Sequence, residues 1–239
     1  MLKTQDVAIG NYCSPEFVSE QQRCECTQLI GYLNQKKEYK HDTYHIAVSI
    51  LDRYLSSLAK SGRPAPELTT LCVVSMLMAA KLEQPISPNF NRMINLLPPN
   101  YKERGVKKQA LIALESDILV TLEFDLQWAS TLLFCERMLK ALGFHRERQI
   151  VSYVSEFAQF ASQSPFALVT RQSVIAAVVV TCALNLSTES ELKQQLKKGR
   201  VIKTLKTPEK PLDWWQAENT QLLTQVNLNE LENSYAQFV

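Results

Sequence analysis

Between residues 42 and 58 the apolar side chains return every three or four positions, at Tyr44, Ala47, Val48, Leu51, Tyr54, Leu55 and Leu58. That spacing lines one face of a helix, with Asp42 as its cap and Ser61-Gly62 as its stop. Ahead of it, Ser14-Pro15-Glu16 opens a helix that runs to about Lys37, interrupted only by Gly31. Proline is tolerated there because the first turn has no use for its missing N–H. After the short linker Arg63-Pro64-Ala65-Pro66, residues 67–83 are apolar nearly all round. A helix without a polar face belongs in the middle of a bundle. Ser87-Pro88 starts a short fourth helix ending before Pro98-Pro99, and residues 106–122 give an amphipathic fifth.

The pattern then begins again. Ser130 caps a helix that ends at Gly143, and a second runs from about Arg146 to Ala161. Thr170 caps a third, whose body is Val174-Ile175-Ala176-Ala177-Val178-Val179-Val180. Ser187-Thr188 caps a fourth ending near Gly199, and a last amphipathic stretch runs from Trp214 toward Phe238. The valine-rich runs are read as helix because they are long, rich in alanine and free of turn signals. The chain is therefore expected to be all-α, as two tandem five-helix bundles. The expected boundaries are a short N-terminal extension at 1–13, a first bundle at 14–127 and a second at 128–239.

Composition removes several functions. Hydrophobic residues make up 46% and charged residues 21%, the balance of a folded chain. A net charge of +2 gives no reason to expect nucleic acid or an anionic membrane as partner. The longest uncharged apolar stretches, 69–80 and 173–186, fall short of the roughly 20 residues that a membrane span needs. The first ten residues carry Lys3 and Asp6 and no apolar run, so no signal peptide is expected. The six glycines never cluster, which excludes a dinucleotide turn, a phosphate loop and a nucleophile elbow. No cofactor is implied. The six cysteines include no C-x-x-C pair, and Cys24 and Cys26, two apart on a helix, cannot close on one metal ion. They suit a reducing compartment, cytoplasm or nucleus.

The first half carries three local signatures. His45-Ile46-Ala47-Val48-Ser49-Ile50-Leu51-Asp52-Arg53-Tyr54-Leu55-Ser56-Ser57 resembles the second-helix signature of the cyclin family, L-H-L-A-V-x-x-L-D-R-F-L-S. Residues 72–83, ending Ala79-Ala80-Lys81-Leu82-Glu83, resemble its third-helix signature ending A-S-K-Y-E-E. Leu114-Glu115 with Leu122-Glu123-Phe124-Asp125-Leu126 resembles the fifth-helix ending M-E … L-x-F-D-L. The resemblance implies a cyclin box and a cell-cycle type of regulator, without catalysis of its own, that binds and activates a cyclin-dependent-type Ser/Thr kinase. It implies that Lys81 and Glu115 grip backbone groups beside the kinase's regulatory helix. Met78, Leu82, Leu119, Phe124 and Leu126 would supply apolar area. It also implies that Arg23 and Asp52 pair inside the box. By composition alone, Lys81 reads as a lysine resting on the carbonyl end of its helix.

Two departures narrow the expectation. Many cyclins carry M-R-A-I-L-x-x-W in the first helix, whose Met, Leu and Trp make a groove for substrate motifs. Here Gln22, Cys26 and Leu29 stand at those places, so docking by that groove is not expected. No R-x-x-L degradation signal occurs. The alternative reading is a cyclin-fold scaffold in a larger protein complex that activates no kinase. A third use of the fold, promoter binding, usually comes with a zinc ribbon and a strongly basic surface, and neither is visible. His41 and His45 are four apart but lack a third ligand, so no metal is expected. The lysine-rich stretch 193–210 is read as an exposed helix end and loop.

Overall fold

The computed structural model describes residues 6–86, 88–102 and 106–197, with side chains as far as residue 187. Among these residues every regular element is a helix. In chain order they are α1 (Glu20–Lys36), α2 (His41–Lys60), α3 (Leu68–Glu83), α4 (Phe90–Leu96) and α5 (Pro99–Lys102). Then follow α6 (Lys108–Thr121), α7 (Thr131–Ala141), α8 (Arg148–Gln163), α9 (Phe166–Val169) and α10 (Gln172–Lys197). They fall into two compact units. One holds the described residues up to Ser130 together with Ser162–Val169; the other holds Thr131–Ala161 and the described residues from Thr170 on.

In the first unit α3 is the centre, buried at every position from Thr69 to Ala80. Side chains such as Leu71, Met76 and Leu77 are at most 1% exposed, and each contributes about 1.5–3 kcal/mol by leaving water. Glu67 starts this helix: its carboxylate accepts the N–H of Thr69 at 2.9 Å and of Thr70 at 2.6 Å. Those bonds hold its pKa below the ordinary value although burial pushes the other way. α2 ends where Gly62 takes φ +66°, which lets Arg63 N–H return to the carbonyl of Leu58 at 3.0 Å.

Several boundaries differ from the sequence reading. α1 begins at Glu20, not at Pro15, because Ser19 closes a capping box with Gln22. Ser19 Oγ accepts the Gln22 N–H at 3.2 Å, and Gln22 Oε1 accepts the Ser19 N–H at 2.9 Å. α2 starts at His41, so Asp42 sits in the first turn, where its charge suits the positive dipole end. Asn89 caps α4; Ser87 lies outside the described residues. α4 ends at Leu96, before Pro98-Pro99 as expected, and the prolines lead into an extra turn, α5, that the sequence reading does not include.

In the second unit α7, α8 and α10 are present, and Val174–Val180 are at most 1% exposed. The break expected at Ser187-Thr188 does not occur, since α10 continues to Lys197. A hydroxyl inside a helix can return its hydrogen bond to the carbonyl four residues back, as Thr181 does to Ala177 at 2.8 Å. The side chains of stretch 193–210 and the amphipathic stretch from Trp214 lie outside the described residues.

Candidate functional site

The buried ion pair between α1 and α2 fixes the frame on which the candidate surface stands. Arg23, 1% exposed, donates from Nε to Asp52 Oδ1 at 2.9 Å and from Nη2 to Oδ2 at 2.8 Å. Its remaining N–H groups go to three carbonyl oxygens: Nη2 to Ser162 at 2.9 Å, Nη1 to Gln163 at 3.1 Å and Ser164 at 3.2 Å. All five guanidinium donors are thus used. Tyr12 adds its hydroxyl to Asp52 at 2.6 Å. Burial disfavours the charge on Arg23, but the Asp52 carboxylate outweighs it and holds the pKa above the ordinary value.

At its C-terminal end α3 emerges from the core. Lys81 Nζ donates to Glu115 Oε1 on α6 and lies 5.3 Å from the ring centre of Phe90. Leu82, next to Lys81, is 49% exposed, and Ile86 beyond the helix is 83% exposed. Along α6, Ile112, Glu115 and Leu119 share one side by their spacing of three to four residues, and Val120 lies next to Leu119 in sequence, turned away from Glu115. Of these, Ile112 and Val120 are exposed and Leu119 is half-buried against the core.

After α6 the chain enters a turn that displays Phe124. Glu123 and Phe124 take φ +53° and +58°, a left-handed conformation that costs an L-residue roughly 1–2 kcal/mol each. The turn is closed by Phe124 N–H to Leu119 O at 2.8 Å and Asp125 N–H to Leu122 O at 2.9 Å. Phe124 is 71% exposed, while Leu126 is half-buried on the core.

Of the residues singled out in the sequence, Lys81 and Glu115 are brought into contact, with Leu82 and Phe124 exposed in the same unit. Met78 is a correction. It is 2% exposed and belongs to the core, because α3 surfaces only in the turn after Ala80. Ile86, Ile112 and Val120 are additions of the structure; the α6 spacing carries a signal for Ile112 alone, three residues before Glu115. Exposed apolar groups in the same unit as a partly exposed ion pair are the kind of groups with which another protein chain can be held. A small cleft of about 110 Å³ lies between α1 and α3, lined by Gln22, Glu25, Cys26, Leu29, Thr69 and Cys72 among others. Its lining is mixed, with Gln22, Glu25 and Thr69 beside Leu29, Leu68 and Tyr101.

Other groupings are plain in the structure. His41 is exposed and His45 is buried. Among the described residues no three His, Cys, Asp or Glu side chains gather as metal ligands. No helix among them is long and apolar enough to cross a membrane.

A family model for the cyclin N-terminal domain matches residues 3–127, just over half of the chain. A putative cyclin-A3-1 of Arabidopsis thaliana is 31% identical over 136 residues, covering 54% of this chain and 36% of that protein. Cyclin-B2-1 of Oryza sativa subsp. japonica is 27% identical over 171 residues, covering 70% and 38%. The matches thus span little more than a third of these relatives' own length. Among solved structures, a viral cyclin from herpesvirus saimiri superposes with TM-score 0.67 at 19% identity, over 93% of this chain and 84% of that one. A chain of the yeast RNA polymerase II CTD kinase complex CTDK-1 superposes with TM-score 0.60 at 14% identity, over 92% and 64%. At these identities the two structures share the fold.

Proposed function

The chain belongs to the cyclin family, and from that premise we propose that it binds and activates a cyclin-dependent-type Ser/Thr kinase as a regulatory, non-catalytic subunit. The observation that carries this reading is the Lys81–Glu115 pair at the surfacing end of a helix that is otherwise buried. It stands in a unit that also exposes Leu82, Ile112, Val120 and Phe124.

The chemistry of the pair suits a backbone partner. Lys81 keeps N–H donors beyond the one given to Glu115, and Glu115 keeps a second carboxylate oxygen. Together they offer a donor and an acceptor at fixed separation, which a partner's exposed carbonyl and N–H can meet, while the apolar groups supply area. A kinase is active when its regulatory helix turns inward and places a Glu against the ATP-holding Lys. A rigid surface that binds only that state raises its population without doing chemistry. Membership of a solved relative in a kinase complex agrees with this reading.

The test uses the purified chain with a panel of purified cyclin-dependent-kinase catalytic subunits, measuring affinity and phosphorylation of each kinase's peptide substrate. At least one kinase should bind and be accelerated, and Lys81→Ala/Glu115→Ala should abolish both. Binding without acceleration would leave the scaffold reading; no binding to any kinase would end the proposal.

A further inference from the structure

Arg53 follows Asp52 on α2 and takes partners other than that helix's buried pair. Its guanidinium carbon lies 4.7 Å from the ring centre of Trp128, and its Nη2 lies 3.6 Å from Asp125 Oδ2. Both partners belong to the segment that follows the left-handed turn at Glu123 and Phe124. Arg53 therefore touches the chain one residue and four residues after Phe124, while Leu126 between them rests on the core.

We propose that Arg53 is a positioning residue that clamps the turn carrying Phe124, so that the exposed ring is held in one orientation for a partner chain. This deepens the kinase-binding reading and rests on it for the identity of the partner. The turn needs such a clamp. Two successive non-glycine residues in the left-handed region persist only when their surroundings hold them, and the side chains of Glu123 and Phe124 are themselves exposed. What the turn has is its own backbone bonds, Leu122 and Leu126 on the core at either side, and Arg53.

The clamp is also built in a way that ordinary stabilisation does not explain. Arg53 Nη1 is buried with no acceptor, and so is Trp128 Nε1. An orphaned buried donor costs stability, and burial lowers the pKa of Arg53 against the pull of Asp125. A methionine of similar length would pack on Trp128 without that cost. The cation is therefore spent on Asp125 and on the face of Trp128, the two contacts that fix the turn.

Hydrogen exchange at the amides of Phe124 and Asp125 tests this, since both close the turn. In Arg53→Met, both amides should exchange at least tenfold faster, while amides in the middle of α3 keep their protection. Arg53→Lys should fall between, because lysine keeps the charge but not the flat stacking. Asp125→Asn, on a side chain 65% exposed and safe for folding, should speed the same two amides. With a kinase that binds the wild type, Arg53→Met and Phe124→Ala should each weaken affinity, and the double variant should be no worse than Phe124→Ala alone. Unchanged exchange at Phe124 and Asp125, or additive losses of affinity, would overturn the clamp. If no kinase binds, the exchange arm still decides it, so its failure is separate from that of the kinase reading.

Discussion

Arg23 and Asp52 meet through two parallel hydrogen bonds of 2.9 and 2.8 Å, at a place where their side chains are 1% and 4% exposed. The geometry joins α1 to α2 at a fixed crossing, and the same guanidinium reaches the carbonyls of Ser162, Gln163 and Ser164. Forming such a pair gains little over apolar packing, but removing one partner strands the other charge. Asp52→Ala should therefore lower the unfolding free energy by about 3–5 kcal/mol. Arg23→Lys, with Asp52 intact, should also be less stable than the parent, because lysine cannot serve the five acceptors that Arg23 meets. Urea unfolding measures both, and a loss near zero for Asp52→Ala would mean the pair is not a structural unit.

Lys81 and Glu115 should behave in the opposite way. Their side chains are 35% and 18% exposed, so solvent screens the attraction and either partner can rehydrate. Lys81→Ala or Glu115→Ala should shift stability by no more than about 1 kcal/mol. The thermal midpoints of the two variants, read beside their kinase affinity, separate a lost contact from a lost fold.

His45 sets an acid limit. Burial pushes its pKa from 6.5 down to about 3, with a small push in the same direction from His41. The unfolded chain therefore binds a proton between those values that the folded chain refuses, so this contribution is complete above pH 6.5 and lost as pH falls toward 3. At pH 5 the loss is about 2 kcal/mol. His45→Gln should flatten the stability profile between pH 7 and 5 relative to the parent; parallel profiles would show that this imidazole is not the cause.

Phe124 sits where its backbone is unfavourable, at φ +58°, with its ring 71% exposed. Asparagine tolerates that conformation better. Phe124→Asn should leave stability unchanged or raise it by about 1 kcal/mol, yet weaken kinase binding at least tenfold. Calorimetry alongside titration gives both numbers. A variant that loses stability and keeps its affinity would contradict the reading of this ring as a contact.

The sequence was most legible where burial is simplest. α3 could be placed within a residue because it is apolar on every side and Glu67 precedes it. α1 was started too early, since Ser14-Pro15 and the Ser19-x-x-Gln22 box both look like caps and only the reciprocal bonds of the second are made. α10 was broken at Ser187, where a hydroxyl that often caps a helix lies instead within one, 7% exposed. The candidate site was legible through resemblance and not through periodicity, which ranks Lys81 as an ordinary helix end. Met78 was misplaced because it shares a helix side with Lys81, but one turn deeper where neighbours surround it. Arg53 and Asp125 stand within the matched signatures, but their contact, and that of Arg53 with Trp128, gave no signal, because it depends on a left-handed turn that no repeat of three or four reveals.

The carbonyls of Ser162, Gln163 and Ser164 have a consequence for biosynthesis. The first unit contains Ser162–Val169 although Thr131–Ala161 belongs elsewhere, so its amino-terminal part leaves the ribosome before that segment has been made. Until it arrives, Arg23 holds Asp52 with three of its hydrogen bonds unmade. Chains stalled after Ser130 should be cut by protease in α1 more readily than chains stalled beyond Val169, and equal resistance would show that the segment is dispensable. The order of translation thus delays completion of the first unit until Thr131–Ala161, the leading part of the second, has been synthesised, a window in which a chaperone finds the same surfaces open that the finished protein closes.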